Sequence, residues 1–363
     1  MPITNCFRPP WVTQRAAGRD DRPVTRRLTL APAGDFLRLA MMPPARKVSV
    51  DLGRLPVGFH RRRFTARGAG FDAFIWRGGP GPVLLVNGAT HGDEYEGPTV
   101  LHLWAQRWRP RRLRGTVVFV PVLNETAFFA GRRCHPADGG NLARAFPGRR
   151  SGPPTARLAH LFDTGLLAQC THYVDLHSAG AAYELKPWVG YITSRDPPVE
   201  KIQQTMAACF DRFWCWSGPY LPGRTLSAAH DRGIPGIYLE CRGAGGVAAA
   251  DLRALSAGLK NLLAALGLAG SIRGPLRPQL RRVTRDAAEA HLQVHHPAPH
   301  AGIFLPAARL GQSVKKRAVL GRVLALDGTR TTPVRAECSG RVMMLRRQRS
   351  VLRDDALATV VPL

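Results

Sequence analysis

Lysine is scarce in this 363-residue chain, with six residues against 46 arginines. Acidic residues are few as well, 25 against 52 basic ones, leaving a net charge of +27. No apolar run approaches the roughly 18 residues that a membrane-crossing helix needs, so no such span is expected. No Gly-X-Y or heptad period marks a fibrous chain. The seven cysteines are odd in number and include no Cys-x-x-Cys pair. That usage fits reduced thiols in a cytoplasmic protein and argues against a disulfide framework or a cysteine-held zinc. At 45% hydrophobic residues the chain carries too much apolar material to be disordered.

The positive charge first suggests a nucleic-acid or anionic-surface partner. Its distribution argues otherwise. Net charge is +6 over residues 1–50, +11 over 271–363 and +10 over the remainder. No zinc finger, RNA-recognition signature or lysine block concentrates it. Arginine in place of lysine fits a GC-rich coding bias as well as it fits phosphate binding. Nucleic acid is therefore not the expected partner.

Residues 1–45 are rich in Arg and Pro, with poor periodicity and no apolar core of a secretory signal. They are expected to be a disordered basic extension or the product of an over-early start, with initiation at Met41 or Met42. From about residue 55 the pattern is α/β. Residues 59–65 and 71–76 read as edge strands. A short, purely apolar run at 82–86 reads as a strand buried on both faces, as do 116–122 and 234–240, with further strands at 172–177 and 187–192. Helices are expected over 97–108, 155–168, 200–210 and 247–266. Residues 124–150 form a long Gly/Pro/Arg-rich loop, the kind that carries function. Strands alternating with helices imply a mixed, largely parallel sheet flanked by helices. That α/β domain is expected over 46–267, followed by a linker over 268–282 and a small C-terminal all-β domain over 283–363. Four histidines, His291, His295, His296 and His300, cluster near the linker and read as exposed loop.

The informative segment is Asn87-Gly-Ala-Thr-His-Gly-Asp-Glu-Tyr-Glu-Gly97, where a buried strand gives way to a helix. Open α/β sheets bind ligands at such carboxyl ends. His91 and Glu94, three apart in a Gly-rich turn, can converge on one ion. Catalytic zinc commonly takes two His and one Glu, leaving a fourth position for water. His177, at the carboxyl end of another apolar strand, is the candidate third ligand. Asp175, two residues earlier on the same strand face, is a candidate hydrogen-bond partner for a ligating imidazole. Glu240 ends a third buried strand and precedes a Gly-rich run. A pocket-facing carboxylate there is poised for a raised pKa and is the candidate acid/base. Arg132, Arg133 and Arg144 lie in the loop between two of these strands and could bind a carboxylate or an oxyanion.

His91-Gly-Asp-Glu94, Asp138-Gly-Gly-Asn-Leu-Ala-Arg-Ala-Phe-Pro-Gly148, Asp175-Leu-His-Ser178 and Tyr238-Leu-Glu240 occur together and in order. In these motifs the chain resembles the succinylglutamate desuccinylase/aspartoacylase family of the zinc carboxypeptidase clan. The loop is most similar to the branch that includes N-acetyl-diaminobutanoate deacetylase. The resemblance spans about residues 80–265. It implies a carboxypeptidase-like fold and one zinc ion per chain, held by His91, Glu94 and His177. It further implies Glu240 as catalytic acid/base, Arg144 on a substrate carboxylate, and Arg132 or Arg133 facing the scissile carbonyl. The C-terminal domain resembles the biotinyl/lipoyl-type appendage of these enzymes, with Arg317 at a usual glycine. Two departures stand out. Ala143 replaces the usual Asn of an Asn-Arg pair, and Asn124-Glu125 replaces Asn-Pro.

The expected activity is zinc-dependent hydrolysis of the amide bond of a small, anionic N-acyl amino acid. Two alternatives differ from it. One is a carboxypeptidase or peptide amidase of the same clan. The other is a non-catalytic polyanion binder on a degenerate scaffold. The sequence leaves a homo-oligomer open.

Overall fold

The computed structural model describes residues 50–194, 196–272, 276 and 295–362, with the backbone of 281–283. The extension expected over 1–45, part of the expected linker and His291 lie outside the described residues.

Nine strands form one large sheet: β1 (Gly58–Ala66), β2 (Ala69–Arg77), β3 (Val83–Gly88), β4 (Thr116–Val120), β5 (His172–Ser178), β7 (Trp188–Ile192), β8 (Trp214–Gly218), β9 (Gly236–Cys241) and β10 (Arg281–Val283). A further strand, β6 (Tyr183–Leu185), pairs elsewhere. The order is β1-β2-β4-β3-β5-β9-β7-β8-β10. The central pairs β4/β3, β3/β5 and β5/β9 run parallel, as do β7/β8 and β8/β10. The remaining pairs, β1/β2, β2/β4 and β7/β9, are antiparallel. The fold is thus the expected mixed, largely parallel sheet.

Six helices cover it: α1 (Glu96–Arg107), α2 (Glu125–Phe129), α3 (Pro154–Gly165), α4 (Pro197–Ala208), α5 (Thr225–His230) and α6 (Ala249–Ala265). The period of two divides each central strand between two cores. Leu84, Val86, Val117 and Phe119 pack with Leu101 and Trp104 of α1 and Leu255 and Leu259 of α6. Leu85, Val118 and Val120 turn the other way, onto Leu158 and Phe162 of α3 and Leu226 of α5. Burying such side chains contributes roughly 1.5–3 kcal/mol each. This is why the strands read as continuous apolar runs.

Several elements differ from the sequence expectation, among them β8, α2 and α5, where no strand or helix is expected. Of the two strands expected at an edge only β1 is one; β2 is hydrogen-bonded on both sides, and six of its nine residues are buried. Strand β10, at the end of the expected linker, extends the large sheet beside β8. Strand β6 stands outside the large sheet: it bridges to Gly243 just past β9 on one side and pairs with β15 (Gly340–Arg346) of the C-terminal region on the other.

That region comprises β11 (Gly302–Pro306), β12 (Ser313–Val314), β13 (Val319–Leu324), β14 (Thr331–Arg335), β15, β16 (Ser350–Val351) and β17 (Ala358–Val361). They form two antiparallel sheets, β14-β13-β11-β16 and β12-β15-β17, around Phe304, Leu320, Val342 and Leu357. Arg317 adopts φ +70°, the conformation glycine would take there without strain. His296 and His300 are not exposed loop but buried. The His296 ring bonds the Ala358 carbonyl and accepts from the Glu337 amide, and burial lowers its pKa, so it is a satisfied core histidine. The His300 Nε2 lies 3.0 Å from Thr332 Oγ1. None of the six described cysteines forms a disulfide. No described helix is long and apolar enough to cross a membrane.

Candidate metal and active site

The site sits at the carboxyl ends of β3, β5 and β9. Beyond β3 the chain makes a tight turn in which Ala89 takes φ +48°. Gly92 then passes so close to α2 that a Cβ would lie 2.0 Å from the Ala127 carbonyl carbon. Only glycine fits there, and this contact sets the turn that carries His91 and Glu94. Helix α2 is itself anchored by Glu125, which takes both guanidinium nitrogens of Arg63 from β1. The departure from Asn-Pro at 124–125 therefore has a structural use.

His91, Glu94 and His177 converge, with one ligand atom from each lying within 4.8 Å of the others, and all three are buried. The Nδ1 atoms of His91 and His177 face separate oxygens of Glu94, at 2.7 and 2.9 Å. Their Nε2 atoms are held from behind, His91 by Asn141 Oδ1 at 3.0 Å and His177 by Asp175 Oδ2 at 2.8 Å. Such outer bonds fix the tautomer and ring angle of a ligating histidine. Asp175 is fully buried and accepts from Asn87, Thr90 and Thr225 as well. Burial alone would raise its pKa, but His177 and these donors lower it. Burial likewise opposes a charged His177, yet Asp175 and Glu94 on either side raise its pKa well above the ordinary value. Burial is not outweighed at His91, whose pKa is lowered.

Register explains where Glu240 stands. β5 and β9 pair in parallel with His177 opposite Glu240. In-register residues on paired strands share a face. The Glu240 carboxylate has no hydrogen-bond partner among the described residues. Desolvation pushes its pKa up to about 8, against the attraction of His177. A cavity of about 290 Å³ opens here, lined by His91, His177, Glu240, Arg133, Arg144 and Arg224 among others.

The structure separates the arginines that the sequence left together. Arg133 lines the cavity and lies 3.3 Å from Glu94 Oε1. Arg132 is exposed and does not line it. Arg144 lines it while staying solvent-accessible, and desolvation together with Arg224 and Arg133 lowers its pKa to about 10. Ala143 also lines the wall, so the missing amide is missing from the site itself. Sequence reasoning overlooked Arg224 and Asn141. Arg224 immediately precedes α5, and its Nε is buried without a hydrogen-bond partner. Its only signal was the Gly-Arg-Thr run before a helix start. Asn141 lies within the recognised loop and caps its one 3₁₀ turn through Ala143 N.

The architecture and site define a class before any particular relative does: mixed α/β proteins with a buried two-histidine, one-glutamate group of a kind that could hold a metal ion. The solved succinylglutamate desuccinylase from Silicibacter sp. TM1040 superposes with a TM-score of 0.77 at 25% identity, covering 88% of this chain and 99% of that one. The product-bound ectoine utilization protein EutE (DoeB) from Ruegeria pomeroyi gives 0.75 at 27% identity, covering 85% and 98%. The N-alpha-acetyl-L-2,4-diaminobutyric acid deacetylase of Halomonas elongata is 31% identical over 287 residues, 78% of this chain and 82% of that protein. The model of the succinylglutamate desuccinylase/aspartoacylase catalytic domain matches residues 80–266. The chain belongs to the succinylglutamate desuccinylase/aspartoacylase family.

Proposed function

We propose that this chain is a zinc-dependent deacylase of small N-acyl amino acids. The observation that carries the reading is the pairing of two features in register. The His91–Glu94–His177 group stands beside a desolvated, hydrogen-bond-free Glu240. The donor set fits zinc in number and type, with two neutral-capable imidazoles and one carboxylate whose outer atoms are already bonded. A zinc ion held there would supply a Lewis acid for the acyl carbonyl and for the attacking water.

The chain's own groups do the rest. Glu240 takes the proton of the water and returns it to the departing amine, a role suited to a pKa near neutrality. Arg133 offers its guanidinium to the oxygen of the scissile carbonyl. Arg144 and Arg224 hold the substrate carboxylate, and the unpaired Nε of Arg224 supports that role. Asp175 and Asn141 keep the two imidazoles in the required tautomers. The products are a carboxylate and a free amino acid. The +27 charge is spread over the chain, and three arginines of the 46 have work in the site.

A hydrolysis assay on N-acyl amino acids tests this reading. Activity is expected to disappear on chelation and to return with zinc. Hydrolysis unaffected by complete metal removal would refute it. A cytoplasmic location fits cysteines that form no disulfide among the described residues.

A further inference from the structure

The cavity has a second half that the proposed chemistry leaves unexplained. The pairings that set His177 beside Glu240 continue across the sheet. His177, Glu240 and Trp188 form one row, and Asp175, Tyr238 and Gly190 the next. Strand β8 extends these rows to Trp214 and Trp216. The sheet face next to the acid/base is therefore aromatic. Gly190 is required for this, because a Cβ there would lie 2.3 Å from the Tyr238 ring. Trp188 and Trp216 stand with ring centroids 5.7 Å apart. Leu185 of β6 and Met344 of β15 close the wall, brought together by the β6–β15 pairing. Leu185, Trp188, Trp216 and Met344 are all buried.

Charge is as informative as shape. Among the described residues only two acids line the cavity, Asp175 and Glu240. Asp175 is committed to four donors. Glu240 is committed to the proton transfer. Three guanidiniums face them. A cationic group on the substrate would meet arginines and indoles with no carboxylate to receive it, and unpaired buried charge is strongly disfavoured.

We infer that the substrate is an N-acyl amino acid bearing an apolar group of aromatic size and no cationic side chain. This inference rests on the deacylase reading for the N-acyl amino acid itself. It differs from the substrate in the name of the Halomonas elongata relative, whose diaminobutyric acid carries a second amine. Met344 and Trp216 are the residues that set the preference.

Calorimetric binding to zinc-loaded Glu240→Gln protein tests it without turnover. The ligands are N-acetyl-L-phenylalanine, N-acetyl-L-2,4-diaminobutyrate and N-acetyl-L-aspartate. The phenylalanine derivative is expected to bind at least about tenfold tighter than either other ligand, a size of effect typical of filling an apolar pocket. Adding Met344→Glu is expected to shift the ratio toward the diaminobutyrate derivative by at least as much. Adding Trp216→Ala, the alternative if that protein does not fold, is expected to weaken phenylalanine-derivative binding about tenfold and leave the diaminobutyrate derivative unchanged. Equal or tighter binding of the diaminobutyrate or aspartate derivative overturns the inference. Turnover by the wild-type enzyme separates the two claims. Preferential binding with no hydrolysis of any of the three keeps the apolar assignment and removes the deacylase reading. Hydrolysis confined to the diaminobutyrate derivative does the reverse.

Discussion

Glu240→Gln is expected to make the metal-free protein more stable while removing its proposed acid/base. The reasoning is linkage. Desolvation holds the Glu240 pKa at about 8, whereas the same side chain in the unfolded chain titrates near 4.5. A raised folded-state pKa means that the native protein keeps a proton which the unfolded chain has lost. Stability from this group is therefore intact below pH 4.5 and falls as pH rises toward 8. At pH 7 the two values correspond to a penalty of about 3 kcal/mol, and to less than about 1 kcal/mol at pH 5. Glu240 is half-buried and water reaches the cavity, so a gain of about 1–3 kcal/mol is expected from the neutral isostere. Urea denaturation of both proteins at pH 5 and pH 7, without metal, measures it. The metal must be absent because a cation beside Glu240 favours its charged form and narrows the gap. A Gln protein no more stable than wild type at pH 7, or equally stabilised at both pH values, would refute the desolvation argument.

Other outcomes follow from the same geometry. Asp175→Asn keeps the size of the group behind His177 but not its charge. Zinc affinity, measured by competition with a chelator, should fall about 10–100-fold with the fold intact. Arg224→Ala should raise KM for an N-acyl amino acid at least about tenfold and change kcat less, since its role is to hold a carboxylate present in ground state and transition state alike. An unchanged KM would remove it from the binding site. Arg317→Gly should raise stability by about 0.5–1 kcal/mol, because it relieves a left-handed backbone at an exposed turn, and thermal denaturation would show it.

Much of the fold was legible because the central strands are buried on both faces. Runs such as Thr116-Val-Val-Phe-Val120 have few alternative readings. The site was legible for the same reason, since His177 and Glu240 stand near the carboxyl ends of such strands and His91 three residues beyond one. The errors have physical causes. Strand β2 reads as an edge from its sequence, yet Phe71, Ala73, Phe74, Ile75 and Trp76 are all buried, because β4 covers its second side. Strands β6 and β10 have only three residues each, and β8 is the mixed run Trp-Cys-Trp-Ser-Gly, so no apolar run announces them. His296 and His300 looked like loop residues because their partners, the Ala358 carbonyl and Thr332, lie 62 and 32 residues further on. The choice between Arg132 and Arg133 could not be made from adjacent positions. It depends on which way the loop after α2 turns, and Gly131 at φ +60° sets that turn. Arg224 was one of 46 arginines and acquired meaning only from the cavity it lines.

The central claim is that His91, Glu94 and His177 hold a zinc ion at which Glu240 moves the proton. Zinc content and turnover measured on the same preparations of wild-type and Glu240→Gln protein test it most directly. The account predicts close to one zinc per chain in both, with release of free amino acid from an N-acyl amino acid by the wild type alone. Turnover retained by the Gln protein, or a fully active wild type without zinc, would contradict it.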